Sequence, residues 1–244
     1  MLGHSLVILS DAHVGAAPAE VEEALLAFLD AVPTLGDALL VTGDLFQFWF
    51  AYRHVLPRRA FPVAARLDAL ARRVPVALVG GNHDRWGDAF WATRPGMRYG
   101  SRELRFDIGT RRVLATHGDG LAAPRGLRPA MQRAVGHPLT SALYRLIHPD
   151  LAVPAMRLAA PLLGGRLDTP AQKAVKSARQ RAWALDRLTA DGAIDVLVMG
   201  HTHVPALEHG VSGRLYLNPG AWAEGLRYAT LTENSAALVA YRPD

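Results

Sequence analysis

Five short motifs along the chain carry side chains that commonly bind metal ions. They are Asp11-Ala12-His13, Gly43-Asp44, Gly80-Gly81-Asn82-His83-Asp84, His117-Gly118-Asp119 and Gly200-His201-Thr202-His203. Together they offer carboxylate, carboxamide and imidazole ligands, a set that suits Zn, Fe, Mn, Co or Ni. The set divides into two metal centres that share one carboxylate. Two ions held about 3.5–4 Å apart clamp the attacking and leaving oxygens of a phosphate, so the expected chemistry is hydrolysis of a phosphate ester or anhydride.

An apolar run precedes each motif and indicates where the candidate ligands lie in the fold. Short runs rich in β-branched residues and bounded by glycine or polar residues are typical of buried strands. The runs are Leu6–Leu9, Ala38–Val41, Val76–Val79, Arg112–Ala115 and Ile194–Met199. Each motif therefore follows the carboxyl end of a predicted strand, which is where open α/β sheets bind their ligands. The order and placement of the motifs, rather than any one of them, predict the site.

The series of motifs from Asp11 to His203 resembles the calcineurin-like metallophosphoesterases. The resemblance implies an α/β fold, a four-layer α/β/β/α sandwich, with two divalent metal ions. It implies two ligand sets by motif position, with Asp44 bridging the ions. The sets are Asp11, His13, Asp44 and His203 for one ion, and Asp44, Asn82, His117 and His201 for the other.

The resemblance also implies roles for the residues that follow Asn82. His83 would not bind metal but would protonate the leaving group or stabilise charge on the phosphoryl group. Asp84 would orient His83. Asn82 and His83 would both contact the substrate.

Length and composition predict a single domain over residues 1–244, with an insertion. Half of the residues are hydrophobic, enough for a sizeable core, and the lack of cysteine excludes a disulfide framework, a thiolate metal site and a cysteine nucleophile. The N-terminus lacks the basic segment and long apolar run of a signal peptide. No stretch has the roughly 18–20 uncharged apolar residues of a membrane-spanning helix. These features predict a soluble cytoplasmic protein.

The chain is basic, with a net charge of +5, and nearly all of the positive charge is arginine, since Lys173 and Lys176 are the only lysines. Two interpretations stay open. The charge reflects compositional bias in a chain rich in alanine, glycine and proline, or it attracts the protein to a polyanion or an anionic membrane surface.

Hydrophobic periodicity predicts the elements between the motifs. Apolar residues at helical spacing predict helices over Ala19–Val32 and Pro62–Arg73. Gly109-Thr110 separates two apolar runs and predicts a hairpin. Three runs after His203 are expected to be antiparallel strands that close a second sheet. They are Arg214–Leu217, Tyr228–Leu231 and Ala236–Tyr241.

The long interval between His117 and His201 is predicted to contain a helical lid over the metal site, at about residues 121–167. Within it Leu127–Ile147 is amphipathic, and Leu151–Leu163 carries a single charged residue. Two interpretations stay open. The apolar faces pack on each other and on the body of the domain, or they line an acyl-chain pocket and lie on a bilayer.

A further helix is predicted over Ala171–Thr189, because Thr169-Pro170 is a typical helix start. Two metal ions do not cover both phosphates of a diphosphate. Lys173, near the start of this helix, is therefore the candidate contact for the second phosphate. The alternative is that Lys173 and Lys176 are solvated surface residues.

Short segments in and around the motifs resemble one group of that family, the UDP-2,3-diacylglucosamine pyrophosphatases of lipid A synthesis and their close relatives. The resemblance lies in Gly43-Asp44-Leu45-Phe46, Phe48-Trp49-Phe50, His117-Gly118-Asp119-Gly120-Leu121, Leu143-Tyr144-Arg145 and His148-Pro149-Asp150. It implies that a nucleotide-linked glycolipid diphosphate is cleaved to UMP and 2,3-diacylglucosamine 1-phosphate, by an enzyme peripheral on the inner membrane. Mn²⁺ is the expected metal, with Fe, Zn or Co as alternatives.

The chain departs from that group at several positions. The group carries arginine in the position of His83, and an acid is common in the position of Gln47. Ala122-Ala123-Pro124-Arg125 replaces acidic residues that follow the His-Gly-Asp motif. Substrate contacts in the lid are therefore not carried over. The aromatic run Phe46–Phe50 fits either a core or a wall for a nucleobase or lipid.

Two other classes of protein stay in view. A recombination-repair type nuclease shares the Asp-x-His, Gly-Asn-His-Asp and Gly-His-x-His motifs, and the sequence pI of about 10.0 suits it. An apolar lid suits lipid better than DNA, so a nucleic-acid partner is not expected. The other class is a metal-free scaffold of the same fold. The intact ligand positions argue against it.

Overall fold

Two β-sheets lie face to face, and helices cover their outer faces. The computed structural model describes residues 1–49, 52, 54–121, 137–152, 154 and 168–243. Within these residues the first sheet has six strands. In order across the sheet they are β11 (Ala236–Ala240), β10 (Arg227–Thr232), β1 (Ser5–Leu9), β2 (Ala38–Thr42), β3 (Val76–Val79) and β4 (Met97–Gly100).

The second sheet has five strands within the described residues. In order they are β5 (Glu103–Ile108), β6 (Arg111–Thr116), β7 (Val196–Val198), β9 (Leu215–Asn218) and β8 (Ala206–His209). The described α-helices are α1 (Ala19–Leu35), α2 (Phe61–Ala71), α3 (Asp88–Trp91), α4 (Pro138–Tyr144) and α5 (Pro170–Ala190). Short 3-10 turns occupy Val211–Gly213 and Trp222–Glu224.

Side chains alternate between the two faces of each buried strand and so pack into two separate core layers. In β2, Leu39 and Val41 face the core under α1 and α2, while Leu40 faces the core between the sheets. Successive strand residues point to opposite faces, so a strand that is apolar throughout has a partner layer on each side. On the far side, Ala184 and Leu188 of α5 pack against the second sheet. The predicted α/β/β/α sandwich is confirmed.

Strand direction brings the motif-bearing loops together. Strands β1, β2 and β3 are parallel neighbours in the first sheet, and β6 and β7 are parallel neighbours in the second. Their carboxyl ends therefore meet along one side of the sandwich. The backbone N–H groups of Asp11 and His13 donate to the carbonyl oxygens of Gly43 and Asp44, at 3.1 and 3.0 Å, which ties the first two loops to each other.

The expectation for the strands after His203 is wrong in part. Strand β9 runs parallel to β7 in the second sheet, and β10 and β11 are antiparallel strands of the first sheet. The apolar pattern marks these segments as strands but does not specify their neighbours. Pairing with β1 buries Ala229 and Leu231 between the sheets. Strands β4 and β8 were not predicted.

Two aromatic residues of the run after Asp44 belong to the core, while Phe48 is half-buried. Phe46 and Trp49 are buried, and their rings pack on each other and on Trp91. Phe50 lies outside the described residues. Of the two alternatives left open for the run, the structure shows a core position for Phe46 and Trp49.

The predicted lid is described only in part, at residues 121, 137–152 and 154, where it contains α4. The remainder of 121–167 lies outside the described residues. Helix α5 begins with the predicted cap, since Thr169 accepts from the backbone of Gln172 and Gln172 accepts from Thr169. No helix among the described residues is long and apolar enough to cross a membrane.

Candidate metal centre

The predicted ligands come together in one cluster at the carboxyl ends of β1, β2, β3, β6 and β7. Among the described residues, three groups of three side chains have ligand atoms within 4.8 Å of one another. Two of them match the predicted sets, Asp11, His13 and His203, and Asp44, His117 and His201, and the third joins His13, Asp44 and His83. Asn82 joins the second set, because its Oδ1 lies 3.2 Å from Nε2 of His117.

Asp44 lies between the two sets. Its Oδ2 is 3.2 Å from Nε2 of His117, and its carboxylate also forms a group with His13 and His83. Burial raises the pKa of Asp44, but the charges of His117 and His83 outweigh it and hold the pKa well below its usual value. The carboxylate is therefore ionised and reaches toward both sets.

The hydrogen bonding of the Asp11 carboxylate shows whether the site suits a cation. Its Oδ2 accepts hydrogen bonds from the hydroxyl of Ser10 at 2.5 Å and from the backbone N–H of His201 at 3.0 Å. Its buried Oδ1 has no hydrogen-bond partner among the described residues, although Nε2 of His203 lies 3.4 Å away. An unsatisfied buried carboxylate oxygen is costly. A divalent ion would satisfy it, and the surrounding imidazole and carboxylate donors suit such an ion.

In three imidazoles the outer nitrogen, Nδ1, contacts a neighbouring group, and the inner nitrogen, Nε2, faces the cluster. Nδ1 of His117 donates to the carbonyl oxygen of Thr42 at 2.7 Å. Nδ1 of His13 lies 3.0 Å from Oε1 of Gln47, and Nδ1 of His203 lies 2.6 Å from Oε1 of Glu224. Such outer partners fix the tautomer and ring orientation of a metal-binding histidine.

The imidazoles differ in charge before a metal ion binds. Burial and the charge of His117 lower the pKa of His201 to about 4, so its ring is neutral at pH 7. Burial lowers the pKa of His203, but Asp11 and Glu224 outweigh it and raise the pKa to about 9. Burial also opposes the charged form of His117, yet Asp44 raises its pKa well above the usual value. Metal ions must therefore displace protons from His117 and His203.

The backbone at the cluster adopts a conformation that few side chains tolerate. Among the described residues, φ lies between 49° and 71° at five candidate ligands. They are Asp11, His13, Asp44, His201 and His203. Non-glycine residues rarely occupy this left-handed region, and they do so mainly at functional sites.

One glycine makes the close approach of two motif loops feasible. A Cβ on Gly81 would lie 2.1 Å from Oδ1 of Asp44 and 2.4 Å from its backbone nitrogen. Only glycine leaves space for Asp44 beside the loop that carries Asn82.

His83 lies at the edge of the cluster. Its Nδ1 lies 3.2 Å from the carbonyl oxygen of Gln47, to which it donates, and its ring packs edge-on to His13 at 5.2 Å. Its backbone N–H donates to Oδ1 of Asp44 at 2.9 Å. With Nδ1 donating, Nε2 is available for proton transfer.

Asp84 is buried below His83 and holds the loop backbone. Its carboxylate accepts from the backbone N–H groups of Gly81, Phe46 and Asp44, at 2.8, 3.2 and 3.2 Å. Burial and the neighbouring Asp44 raise the pKa of Asp84 to about 6. The hydrogen-bond partner of the His83 ring is the carbonyl oxygen of Gln47, whereas Asp84 binds backbone N–H groups of the neighbouring loops.

The predicted phosphate contact lies close to the cluster but is already paired. Nζ of Lys173 lies 2.6 and 2.7 Å from the two carboxylate oxygens of Glu224. Lys176 pairs instead with Asp168 at 2.5 Å. Of the two lysines, Lys173 is thus the one linked to the metal centre, through the partner of His203.

Several residues that hold the cluster were not identified from the sequence. Nδ2 of Asn218 and Nε2 of Gln180 both donate to the carbonyl oxygen of Gly200 at 3.0 Å, which fixes the loop before His201. Asn218 ends the apolar run of β9 and precedes Pro219-Gly220, the same strand-to-polar pattern as the five motifs. That pattern could have identified Asn218, whereas nothing local distinguishes Gln180 within its helix.

The family follows from fold and site together. Residues 4–205 match the calcineurin-like phosphoesterase family, so the chain belongs to that family. It is a metal-dependent hydrolase, and the divalent ions that the family implies suit the Asp and His groups of the cluster. The alternative of a metal-free scaffold is therefore not adopted.

The chain is similar to several individual proteins. The UDP-2,3-diacylglucosamine hydrolase of Serratia proteamaculans (strain 568) is 27% identical over 225 residues, which are 88% of this chain and 90% of that one. A protein of the same name from Porphyromonas gingivalis (strain ATCC BAA-308 / W83) is 29% identical over 150 residues, 59% of this chain and 57% of that one. The phosphoesterase Yfce from E. coli superposes with a TM-score of 0.46 and 20% identity, over 97% of this chain and 98% of that one.

Metal binding is expected to release protons, because His203 and His117 bind a proton at neutral pH in the absence of metal. Mn²⁺ titrated into metal-free protein at pH 7 should displace about one proton or more per chain, and the affinity should rise with pH up to about pH 9. Calorimetry in two buffers of different ionisation enthalpy measures the proton count. His209→Gln, at an exposed position of β8, is the matched control and should release as many protons as the unaltered protein. Binding without proton release would contradict the assignment.

Gly81→Ala is expected to displace Asp44 and reduce activity by about 10²-fold, since small misplacements at a catalytic centre have effects of that size. Hydrolysis of a generic phosphodiester with added Mn²⁺ measures the loss. Gly192→Ala is the control, because its Cβ would have only a side-chain atom of Arg214 nearby, at 3.7 Å. Equal activity in the two variants would contradict the close approach.

Proposed function

We propose that this phosphohydrolase cleaves the diphosphate of UDP-2,3-diacylglucosamine to UMP and 2,3-diacylglucosamine 1-phosphate in lipid A synthesis. The observation that carries the proposal is an exposed apolar surface on the described part of the lid, which packs against Trp86 near the motif that carries Asn82. The described part of the lid contacts the loop that follows Asp84. The Tyr144 ring lies 5.7 Å from the Trp86 ring, and the Tyr52 hydroxyl donates to the carbonyl oxygen of Ile147 at 3.2 Å.

Leucines of this lid segment are exposed to a degree unusual for apolar side chains. Leu139, Leu143, Leu146 and Leu151 are 64%, 63%, 82% and 68% exposed. An exposed cluster of large apolar side chains marks a binding surface more often than chance. Each CH₂ of an acyl chain that it covers would contribute about 0.8 kcal/mol. Two acyl chains of a glycolipid are a suitable occupant, and the names of the relatives above support the same substrate class.

In the proposed centre the two ligand sets would hold two divalent ions, Mn²⁺ by preference. Asp11, His13, Asp44 and His203 would hold one ion, and Asp44, Asn82, His117 and His201 would hold the other. Such a pair of ions supplies Lewis acidity and lowers the pKa of a bound water. The position of Asp44 between the sets supports its bridging role.

His83 and Lys173 complete the proposed reaction. A water oxygen forms a new bond to phosphorus and the water loses a proton to solvent, while the bond from phosphorus to the diphosphate bridging oxygen breaks and the leaving phosphate takes up a proton. With the His83 ring doubly protonated, its Nε2 supplies that proton or stabilises charge on the phosphoryl group. Asn82, beside it, contacts the same phosphate. The ammonium of Lys173, adjacent to His203 through Glu224, stabilises the second phosphate.

The substrate also defines where the enzyme works. A diacyl glycolipid resides in a membrane, so we propose that the protein acts from the cytoplasm as a peripheral protein on the inner membrane. The exposed leucines of the lid support contact with the acyl region, and the net charge of +5 supports attraction to anionic lipid.

His83→Ala should retain both metal ions and lose about 10²–10⁴-fold in kcat, because a general acid or charge-stabilising group contributes on that scale. Metal content and steady-state kinetics of the purified variant measure the two quantities. Loss of a metal ion would reassign His83 as a ligand. An unchanged kcat would exclude His83 from the reaction.

The double substitution of Leu139 and Leu143 by glutamine should lower kcat/KM for UDP-2,3-diacylglucosamine by about tenfold or more. The reason is that several CH₂ groups of the acyl chains would lose the apolar surface that covers them in the complex. The same variant should cleave deacylated UDP-glucosamine as the unaltered enzyme does. Val211→Gln is the control, an exposed apolar residue in the turn between β8 and β9.

The same assay decides between substrate classes. Equal kcat/KM for acylated and deacylated substrates would exclude a lipid pocket. Preferential cleavage of a generic phosphodiester or of single-stranded DNA would favour the alternative, a phosphodiesterase or nuclease of the same fold.

A further inference from the structure

A short turn after β9 places a carboxylate next to the metal centre. The 3-10 turn Trp222–Glu224 is anchored to the loop after β1. The backbone N–H of Trp222 donates to the carbonyl oxygen of Ser10 at 2.9 Å, and that of Ala223 to Asp11 at 3.2 Å. The loop that carries Asp11 therefore also positions Glu224.

Glu224 contacts the outer nitrogen of a candidate ligand. Its Oε1 lies 2.6 Å from Nδ1 of His203. The opposite ring nitrogen, Nε2, lies 3.4 Å from Oδ1 of Asp11 and 3.3 Å from Nε2 of His13. An ionised carboxylate can only accept a hydrogen bond, so Nδ1 of His203 carries the hydrogen and its Nε2 faces the cluster.

The carboxylate is held on its other side by a cation from a different element. Lys173 of α5 lies 2.6 and 2.7 Å from the two oxygens of Glu224. The Lys173 side chain is 27% exposed and that of Glu224 is 43% exposed, so solvent reaches this pair but does not surround it. Two hydrogen-bonded neighbours thus fix the orientation of one carboxylate.

We propose that Glu224 is a positioning residue for the metal centre, which orients His203 and strengthens it as a ligand, and that Lys173 holds Glu224 in place. The inference rests on the proposed metal assignment, in which His203 is a ligand. The other imidazole of the same set, His13, has the neutral amide of Gln47 as its outer partner. A carboxylate raises the basicity of an imidazole more than an amide does, so the two histidines are unequal donors.

Glu224→Ala tests the inference by metal binding to the metal-free protein. Removal of an outer partner of this kind typically weakens metal affinity by about 10–100-fold, so one of two Mn²⁺ ions should bind that much more weakly. Glu224→Gln should restore part of the loss, because an amide oxygen still accepts from Nδ1. Lys173→Met should give a smaller loss of the same ion. The visible spectrum of the Co²⁺-loaded protein gives a second readout, which should change in Glu224→Ala.

Controls separate this inference from the metal assignment. Glu208→Gln removes a carboxylate that pairs with Arg181 of the same α5 helix, and its metal binding should equal that of the unaltered protein. His203→Ala should weaken the same ion that Glu224→Ala weakens. If His203→Ala weakens one ion while Glu224→Ala and Glu224→Gln bind both normally, the positioning role is overturned and the metal assignment stands. If His203→Ala also binds both ions normally, the metal assignment itself fails.

Discussion

The architecture depends on placing two buried carboxylates, Asp11 and Asp44, within reach of the same imidazoles. Both carboxylates lie at the ends of central strands where solvent does not reach them. An ionised carboxylate is costly to bury unless it is hydrogen-bonded and balanced by positive charge. Ser10, backbone N–H groups and the protonated forms of His117 and His203 supply that balance before metal binds, and divalent ions would supply it afterwards.

The loops that carry these carboxylates are conformationally costly, and the sandwich stabilises them. Left-handed backbone at a non-glycine residue costs on the order of 1–3 kcal/mol, and five candidate ligands adopt it. The strands that end at these loops are apolar on both faces and fully buried, as in β2 and β3. Rigid strand ends leave the loops few alternative paths, so the strain is retained where it directs ligands inward.

The metal centre and the proposed substrate site have different origins in the structure. The centre is built from the ends of five strands and defines the family. The features proposed to bind substrate are added around it: the exposed leucines of the lid, His83 at the edge of the cluster, and Lys173 from α5. This division explains how one centre serves different phosphoesters, since function resides in the site and its surroundings rather than in the fold.

The amino-acid sequence by itself determined the strands and the layered α/β class and identified the candidate ligands that the structure brings together, because ligand chemistry and apolar periodicity are local properties. Asp11, Asp44 and His117 each follow a short apolar run that is typical of a buried strand. Tertiary structure alone decided which sheet β10 and β11 join, since strand neighbours are set by packing across the whole chain. It also decided the partners of the imidazoles. Glu224 contacts His203 from 21 residues away and Lys173 from 51 residues away, and no local pattern records such contacts.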